Sequence, residues 1–121
     1  MCGIIAYLGD NLFTNIIQGL ELLQNRGYDS AGICSINQKN YIINKLASSH
    51  KVKAIVQLKK FSKEHKNSSI GIGHTRWATH GSKTDINAHP HIDCYNTFAV
   101  VHNGIIENYL ELKSFLEDKG F

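Results

Sequence analysis

The spacing of apolar residues divides the first part of the chain into a strand and a helix. Residues 3–8 form a short, mostly apolar run, which is typical of a buried strand. Over residues 12–25 the apolar positions recur at helical spacing and predict an amphipathic helix with Phe13, Ile16, Ile17, Leu20 and Leu23 on one face. The polar, glycine-bearing stretch "NRGYDS" should end that helix.

The middle of the chain predicts a hairpin, a second helix and another strand. Residues 30–36 and 41–46 have the composition of two strands, and "NQKN" between them predicts a turn. Apolar residues from Val52 onward predict a short second helix, which ends in the polar stretch "SKEHKNSS". The segment "SIGIG" predicts a strand whose two glycines indicate the close approach of another backbone or of a ligand.

The last part of the chain begins with an irregular stretch over residues 74–96. Loops of this length inside a small domain are more often functional than idle. "TFAVV" then predicts a strand, and from Ile106 onward a helical period continues to a glycine stop at "DKG". This order of elements predicts an α+β fold, with helices layered on a largely antiparallel sheet, over residues 1–121.

Composition indicates the class and location of the protein but not any reaction that it catalyses. The 121 residues are 42% hydrophobic, which fits one globular domain. The net charge is +3, and the lysine-rich stretch 51–66 contains no arginine, which favours a solvated helix face over a nucleic-acid site. No apolar run approaches the length of a membrane span, and the features of a signal peptide are missing, so we predict a cytoplasmic protein. The 3 cysteines lack paired spacing and are predicted to be reduced.

Cys2 stands directly after the initiator methionine and before a buried strand. One interpretation is a small hydrophobic residue that helps to bury the strand. The other is a nucleophile, because removal of Met1 would give Cys2 a free α-amine. Such amines titrate at roughly pH 8, so a fraction is unprotonated at neutral pH and can take the proton of the thiol.

Asn103 and Gly104 also have two interpretations. Asn-Gly between apolar runs is the strongest short signal for a β-hairpin. The helical period that follows instead places the pair between a strand and a helix. There the Asn103 amide and the Gly104 N–H could form an oxyanion hole, which stabilises the tetrahedral intermediate of acyl transfer.

Arg76 and a group of histidines lie in or near the irregular stretch. A guanidinium group suits binding of a carboxylate through two hydrogen bonds, although an ordinary surface arginine is equally compatible with the sequence. The histidines, with nearby Cys94, match no compact zinc signature, so hydrogen-bonding roles are favoured and no metal is predicted. They are His74, His80, His89 and His91.

Five segments together resemble the glutaminase domain of the glutamine–fructose-6-phosphate aminotransferase family. They are "CGI", "NRGYDSAG", "HTRWATHG", "NAHPH" and "VVHNGIIEN", in family order and spread over nearly the whole chain. This domain is a class II glutamine amidotransferase with the N-terminal-nucleophile hydrolase fold. The resemblance implies a partial α+β sandwich that hydrolyses L-glutamine through a thioester on Cys2. It also implies nitrogen supply for glucosamine 6-phosphate synthesis from fructose 6-phosphate, without a cofactor.

The resemblance assigns catalytic roles to five residues. Cys2, after processing, would be the nucleophile, and its own α-amine would be the general base. Arg26 and Gly27 would hold the N-terminus through their backbone. Asn103 and Gly104 would form the oxyanion hole.

The same resemblance assigns the binding of glutamine to the irregular stretch. Arg76 would bind the α-carboxylate of the substrate, and Thr79, His80 and Gly104 would help to bind glutamine. Trp77 would lie in a loop that closes over the site.

The family pattern extends further than this chain. The glutaminase domain of the family is longer, and its remaining part supplies an aspartate that binds the α-amino group of glutamine. Fructose 6-phosphate is expected only through C-terminal isomerase domains, and full-length members are expected to be homo-oligomers. No nucleic-acid or membrane partner is predicted. The alternative to an active glutaminase is an inactive remnant or a glutamine-binding module, which retention of Met1 would favour.

Overall fold

A four-stranded antiparallel sheet forms the centre of the computed structural model, which describes residues 1–79 and 81–121. Its strands are β1 (Gly3–Leu8), β2 (Ser30–Asn37), β3 (Asn40–Ala47) and β4 (Ile70–Arg76). The spatial order is β1-β4-β2-β3, so β4 lies between the N-terminal strand and the hairpin. The predicted α+β class, the antiparallel sheet and the hairpin are confirmed.

Two helices cover one face of this sheet. They are α1 (Leu12–Leu22) and α2 (Ala54–Leu58), and each is followed by a 3-10 turn, at Gln24–Arg26 and Lys59–Phe61. The predicted helix over 12–25 is therefore confirmed, although its last part is a separate turn. Full burial of a leucine or isoleucine stabilises a fold by roughly 1.5–3 kcal/mol. The core between helices and sheet comprises Leu12, Ile16, Ile17, Leu20, Ala31, Ile33, Ala54, Ile55 and Leu58.

The two glycines of "SIGIG" allow α1 to lie close to the sheet. A β-carbon built on Gly71 would lie 3.0 Å from Cδ1 of Leu12, and one on Gly73 would lie 2.7 Å from Cγ2 of Ile16. The predicted approach of a backbone is confirmed at Gly71, where the nearest atom to such a β-carbon is the main-chain oxygen of Cys34 at 2.8 Å. At Gly73 only side chains approach, so that prediction was wrong there.

The strand β4 is longer than the sequence indicated. His74, Thr75 and Arg76 belong to the sheet, so the prediction that an irregular stretch begins at residue 74 was wrong. Their polar side chains carry no apolar alternation, and pairing with strands on both sides extends β4. His74 and Thr75 are each only 1% exposed.

A long loop crosses the second face of the sheet at Gly32. A side chain at Gly32 would collide with the main-chain oxygen of His89, so the two backbones approach closely here. Lys45 on β3 anchors the loop, because its Nζ donates to the Ala88 oxygen at 2.8 Å. The loop contains one short strand, β5 (His91–Ile92), which pairs with β6 (Ala99–Val100). The predicted strand "TFAVV" is thus confirmed but spans two residues.

The rest of the second face is open, which makes the sandwich partial. Ile4, Leu8 and Ile70 on that face are all exposed. Helix α3 (Tyr109–Asp118) also contributes no buried residue, contrary to the expectation that every helix is layered on the sheet. It ends at Asp118, and Gly120, two residues further on, has a φ of 86°, which confirms the predicted glycine stop. Among the described residues, no helix is long and apolar enough to cross a membrane.

Candidate active site

Cys2 lies immediately before β1, beside the end of β4. Pairing of Gly3 with Thr75 brings the two strand ends together. The Trp77 N–H donates to Sγ of Cys2 at 3.3 Å, and Sγ lies 3.7 Å from the Trp77 carbonyl oxygen. The thiol of this half-buried cysteine therefore contacts the peptide that follows β4.

The position after Cys2 has no room for a side chain, and it is occupied by Gly3. A β-carbon at Gly3 would lie 2.7 Å from Cβ of Leu23 and 2.8 Å from Oγ1 of Thr75. Both distances are too short for a real β-carbon. The glycine thus permits the N-terminus to pass between the end of α1 and β4.

Asn103 reaches Cys2 from the other end of the chain. Its Nδ2 donates to the main-chain oxygen of Cys2 at 3.1 Å, and its Oδ1 lies 2.9 Å from Nε2 of His74. Gly104, the next residue, has a φ of 138°, a conformation that favours glycine. The Asn-Gly pair lies between β6 and α3, so the hairpin interpretation is wrong.

A cleft of about 620 Å³ brings most of the predicted site residues together. Met1 also lines it, beside Cys2. His80 lies outside the described residues, and Gly27 lies behind the cleft wall instead of lining it. The predicted residues that line the cleft are Cys2, Arg26, Arg76, Trp77, Thr79, Asn103 and Gly104.

Arg26 and Gly27 occupy the turn that leads from α1 into β2. The Arg26 N–H donates to the Leu23 oxygen at 2.9 Å and the Gly27 N–H to the Gln24 oxygen at 3.2 Å. A β-carbon on Gly27 would lie 2.6 Å from the carbonyl carbon of Arg76. Gly27 therefore supports the peptide that contacts the Cys2 thiol, and its predicted hold on the N-terminus through the backbone stays a prediction.

Asp29 is a residue of the site region to which sequence reasoning assigned no role. Its Oδ2 accepts the Ala78 N–H at 2.8 Å, and its Oδ1 pairs with Nζ of Lys83 at 2.6 Å. Burial raises the pKa of this carboxyl, but the bonds from Lys83 and Ala78 outweigh it and the pKa is lowered overall. Asp29 thereby fixes the loop after Trp77. The sequence signal that could have indicated this role is the acidic residue in the glycine-bearing segment "RGYDS".

The side chains of Arg76 and Trp77 are both held by neighbouring residues. One guanidinium nitrogen of Arg76 donates to the Ser82 oxygen at 3.2 Å. The Trp77 ring packs edge-on against Tyr28, with centroids 5.3 Å apart. Arg76 is a cationic residue of the cleft wall, where a carboxylate could bind.

The rings of His74, His89 and His91 contact one another in series, and the first two line the cleft. The centroids of His74 and His89 are 4.5 Å apart, and those of His89 and His91 are 4.4 Å apart. Burial lowers the pKa of each ring, that of His89 to about 3, so the three rings are neutral at physiological pH. In the described part of the chain, no group of three or more His, Cys, Asp or Glu is placed to hold a metal ion.

The antiparallel sheet, with helices on one face and a thiol at its N-terminal edge, is a partial sandwich of the N-terminal-nucleophile hydrolase type. No family model matches the chain. Comparison with curated proteins gives the family directly. The chain is 52% identical, over 99% of its length, to the glutamine–fructose-6-phosphate aminotransferase (isomerizing) of Aquifex aeolicus. It is 48% identical, over its full length, to the protein of the same name from Caldanaerobacter subterraneus subsp. tengcongensis.

A viral protein has a similar level of identity. The chain is 48% identical, over 96% of its length, to the probable glutamine–fructose-6-phosphate aminotransferase (isomerizing) of Acanthamoeba polyphaga mimivirus. The chain spans about a fifth of the length of these relatives. Over that span it belongs to the glutamine–fructose-6-phosphate aminotransferase family.

Proposed function

We propose that this chain carries a glutaminase site that hydrolyses L-glutamine to glutamate and ammonia through a thioester on Cys2. The ammonia would supply nitrogen for glucosamine 6-phosphate synthesis from fructose 6-phosphate, which would bind outside these residues. The observation that carries the proposal is the convergence of Cys2 and Asn103, 101 positions apart, in one cleft with Arg76. The names of the relatives support the same reaction class.

The nucleophile requires that Met1 be removed. With Met1 present, the nitrogen of Cys2 is part of a peptide bond and cannot accept a proton. After its removal, the α-amine takes the thiol proton and the thiolate attacks the side-chain carbonyl of glutamine. The C–S bond forms as the carbonyl oxygen becomes an oxyanion.

Asn103 and Gly104 would stabilise that oxyanion. The Nδ2 group of Asn103 carries two N–H bonds, and one of them donates to the Cys2 oxygen. The second N–H and the Gly104 N–H would act on the substrate oxygen. Removing one such donor typically lowers the rate roughly 10²–10³-fold, and we expect this of Asn103→Ala.

The remaining steps release the products. The α-ammonium returns its proton to the amide nitrogen as the C–N bond breaks, and ammonia leaves. Water then hydrolyses the γ-glutamyl thioester and regenerates the thiol. Arg76 would bind the α-carboxylate of glutamine during both steps, with Thr79 and His80 contributing further contacts. Trp77 would close over the bound substrate. A cytoplasmic location and a homo-oligomeric full-length protein remain predictions.

The test measures ammonia and glutamate release by the full natural polypeptide that contains residues 1–121, after intact mass has shown that Met1 is absent. We expect Cys2→Ala to abolish release and to prevent labelling by a glutamine-analogue electrophile. Cys94→Ser is the matched control, because Cys94 is exposed and lies outside the cleft. It should retain activity within about twofold. Glutamine hydrolysis by Cys2→Ala would contradict the proposal.

A further inference from the structure

The orientation of the Asn103 amide is determined by its neighbours. The Cys2 main-chain oxygen can only accept a hydrogen bond, so the group that faces it at 3.1 Å is the NH₂ of Asn103. The amide oxygen Oδ1 must then face Nε2 of His74, which lies 2.9 Å away. An amide oxygen also only accepts, so Nε2 of His74 carries a hydrogen and donates it.

The protonation state of His74 follows from its burial. The residue is 1% exposed, and its Nδ1 is buried with no hydrogen-bond partner among residues 1–79 and 81–121. A charged ring would leave a buried N–H without an acceptor, which is costly. Burial lowers the pKa of His74, although hydrogen bonds with the Asn103 side chain and the His102 backbone oppose this. His74 is therefore the neutral tautomer with hydrogen on Nε2.

The position of His74 is fixed by the sheet. It lies on β4, the strand with a partner on each side, and it pairs with Ile4 on β1 and Gly32 on β2. The ring also contacts the tilted ring of His89, with centroids 4.5 Å apart. Asn103, by contrast, lies in an irregular segment and is exposed. The His74 ring, which the sheet holds in place, thus positions the side chain of Asn103, whose own backbone lies outside any helix or strand.

We propose that His74 is a positioning residue for the glutaminase reaction. Its Nε2–H fixes the Asn103 amide with the NH₂ group toward Cys2, so that one N–H is bound to the Cys2 oxygen and the other is available to the oxyanion. This inference rests on the proposed function. His74 acts through Asn103 and does not touch the substrate carbonyl.

The test compares two amide replacements in the full natural polypeptide. His74→Gln places an N–H near the position of Nε2, whereas His74→Asn places it near that of Nδ1. We expect His74→Gln to keep kcat for glutamine hydrolysis within about threefold of the parent. His74→Asn should lower kcat about 10-fold to 10²-fold with little change in KM, because a misplaced donor affects the transition state more than substrate binding.

A double-mutant cycle separates positioning from a structural role. In the Asn103→Ala background, His74→Asn should cause less than about a threefold further loss of kcat, since both changes affect the same donor. Equal losses for His74→Gln and His74→Asn, or multiplicative losses in the cycle, would overturn the inference. If His74→Asn does not fold, His74→Gln alone decides: parent-like kcat supports the inference, and a loss as large as that of Asn103→Ala overturns it. Activity of Cys2→Ala would instead overturn the proposed function itself.

Discussion

Gly27 and Trp77 approach so closely that a β-carbon on Gly27 would lie 2.8 Å from the Trp77 amide nitrogen. That same nitrogen donates its hydrogen to Sγ of Cys2 at 3.3 Å. The glycine turn after α1 therefore sets the position of the peptide that contacts the thiol. Because φ of Gly27 is −179°, its role comes from space and not from backbone conformation.

Gly27→Ala should displace the Arg76–Trp77 peptide and with it the thiol. We expect kcat/KM for glutamine to fall roughly 10-fold or more, and the fold to lose about 1–3 kcal/mol from overpacking. Ammonia release and thermal unfolding measure the two effects. Gly120→Ala is the control: it places a β-carbon in open space at a φ of 86°, so it should cost stability without reducing activity. Parent-like activity of folded Gly27→Ala would refute this role.

Gly104→Ala should act on the second donor of the proposed oxyanion hole. Gly104 has a φ of 138°, and a β-carbon there would lie 3.2 Å from both Cε1 and Nε2 of His102. The peptide must shift to relieve this strain, which moves the Gly104 N–H. We expect kcat to fall by roughly 10² with a smaller change in KM. Steady-state kinetics on glutamine decide it, and an effect confined to KM would argue for substrate binding by Gly104 instead.

The sequence predicted the elements whose burial is periodic. The strand over residues 3–8 follows from a short apolar run and the helix with Ile16 and Leu20 from apolar spacing, because one face of each packs into the same core. The extension of β4 through His74 could not be predicted in this way, since a polar strand end depends on its partner strands. The exposed helix α3 has the same apolar period as a packed helix, so sequence alone could not show that it lies apart from the core.

The sequence likewise predicted some features of the site and not others. Cys2, Asn103 and Arg76 could be proposed because their chemistry is visible in the sequence and their motifs resemble a family. The contacts that hold them could not, because each joins residues far apart in the chain. Asp29 to Ala78 and His74 to Asn103 are examples, at separations of 49 and 29 positions.

Asp29→Asn should loosen the loop that follows Trp77. The change keeps an acceptor for the Ala78 N–H but removes the charge that pairs with Lys83. The pKa of Asp29 is lowered on folding. Its contribution to stability is therefore complete above pH 3.8, the ordinary pKa of the group, and is lost only as the pH falls through the lowered pKa of the folded protein. The parent and the variant should therefore differ by a constant free energy of unfolding between pH 8 and pH 5.

The activity of Asp29→Asn gives the second readout. We expect KM for glutamine to rise several-fold, because the loop carries Trp77 and Thr79 at the cleft. Lys83→Gln is the matched variant: it removes the exposed partner alone and keeps the Asp29 carboxylate that accepts the Ala78 N–H, so it should have the smaller effect on KM. A stability difference that varies with pH above 5, or an unchanged KM, would speak against this function of Asp29.

His65 belongs to a buried polar network on the helix-covered face of the sheet. The role of this histidine should appear in the pH dependence of stability. Its Nδ1 lies 2.7 Å from Oγ of Ser35, and its Nε2 lies 2.7 Å from Oδ1 of Asn44. Ser35 is 0% exposed, so this arrangement of serine, histidine and asparagine has no access to substrate and is structural. The Asn44 oxygen accepts from Nε2–H, which leaves Nδ1 to accept from the serine.

Burial lowers the pKa of His65, although the charge of Glu64 opposes the shift. The unfolded chain therefore takes up this proton first, at a pKa of about 6.5, and stability falls as pH drops from there toward the lowered folded value. His65→Gln should be less stable than the parent at pH 8 and should show a shallower decline below pH 6.5. The difference in slope approaches roughly 1.4 kcal/mol per pH unit, the value for one proton.

Hydrogen exchange of the β2 amides measures this opening free energy within the full natural polypeptide. The other buried histidines are unchanged in the variant, so their shared contribution cancels in the comparison. His50→Gln is the control, because His50 is exposed and lies outside the network. The opening free energy of His50→Gln should match that of the parent at every pH. Parallel curves for His65→Gln and the parent would mean that the pKa of His65 is the same in the folded and the unfolded protein, which would contradict this prediction.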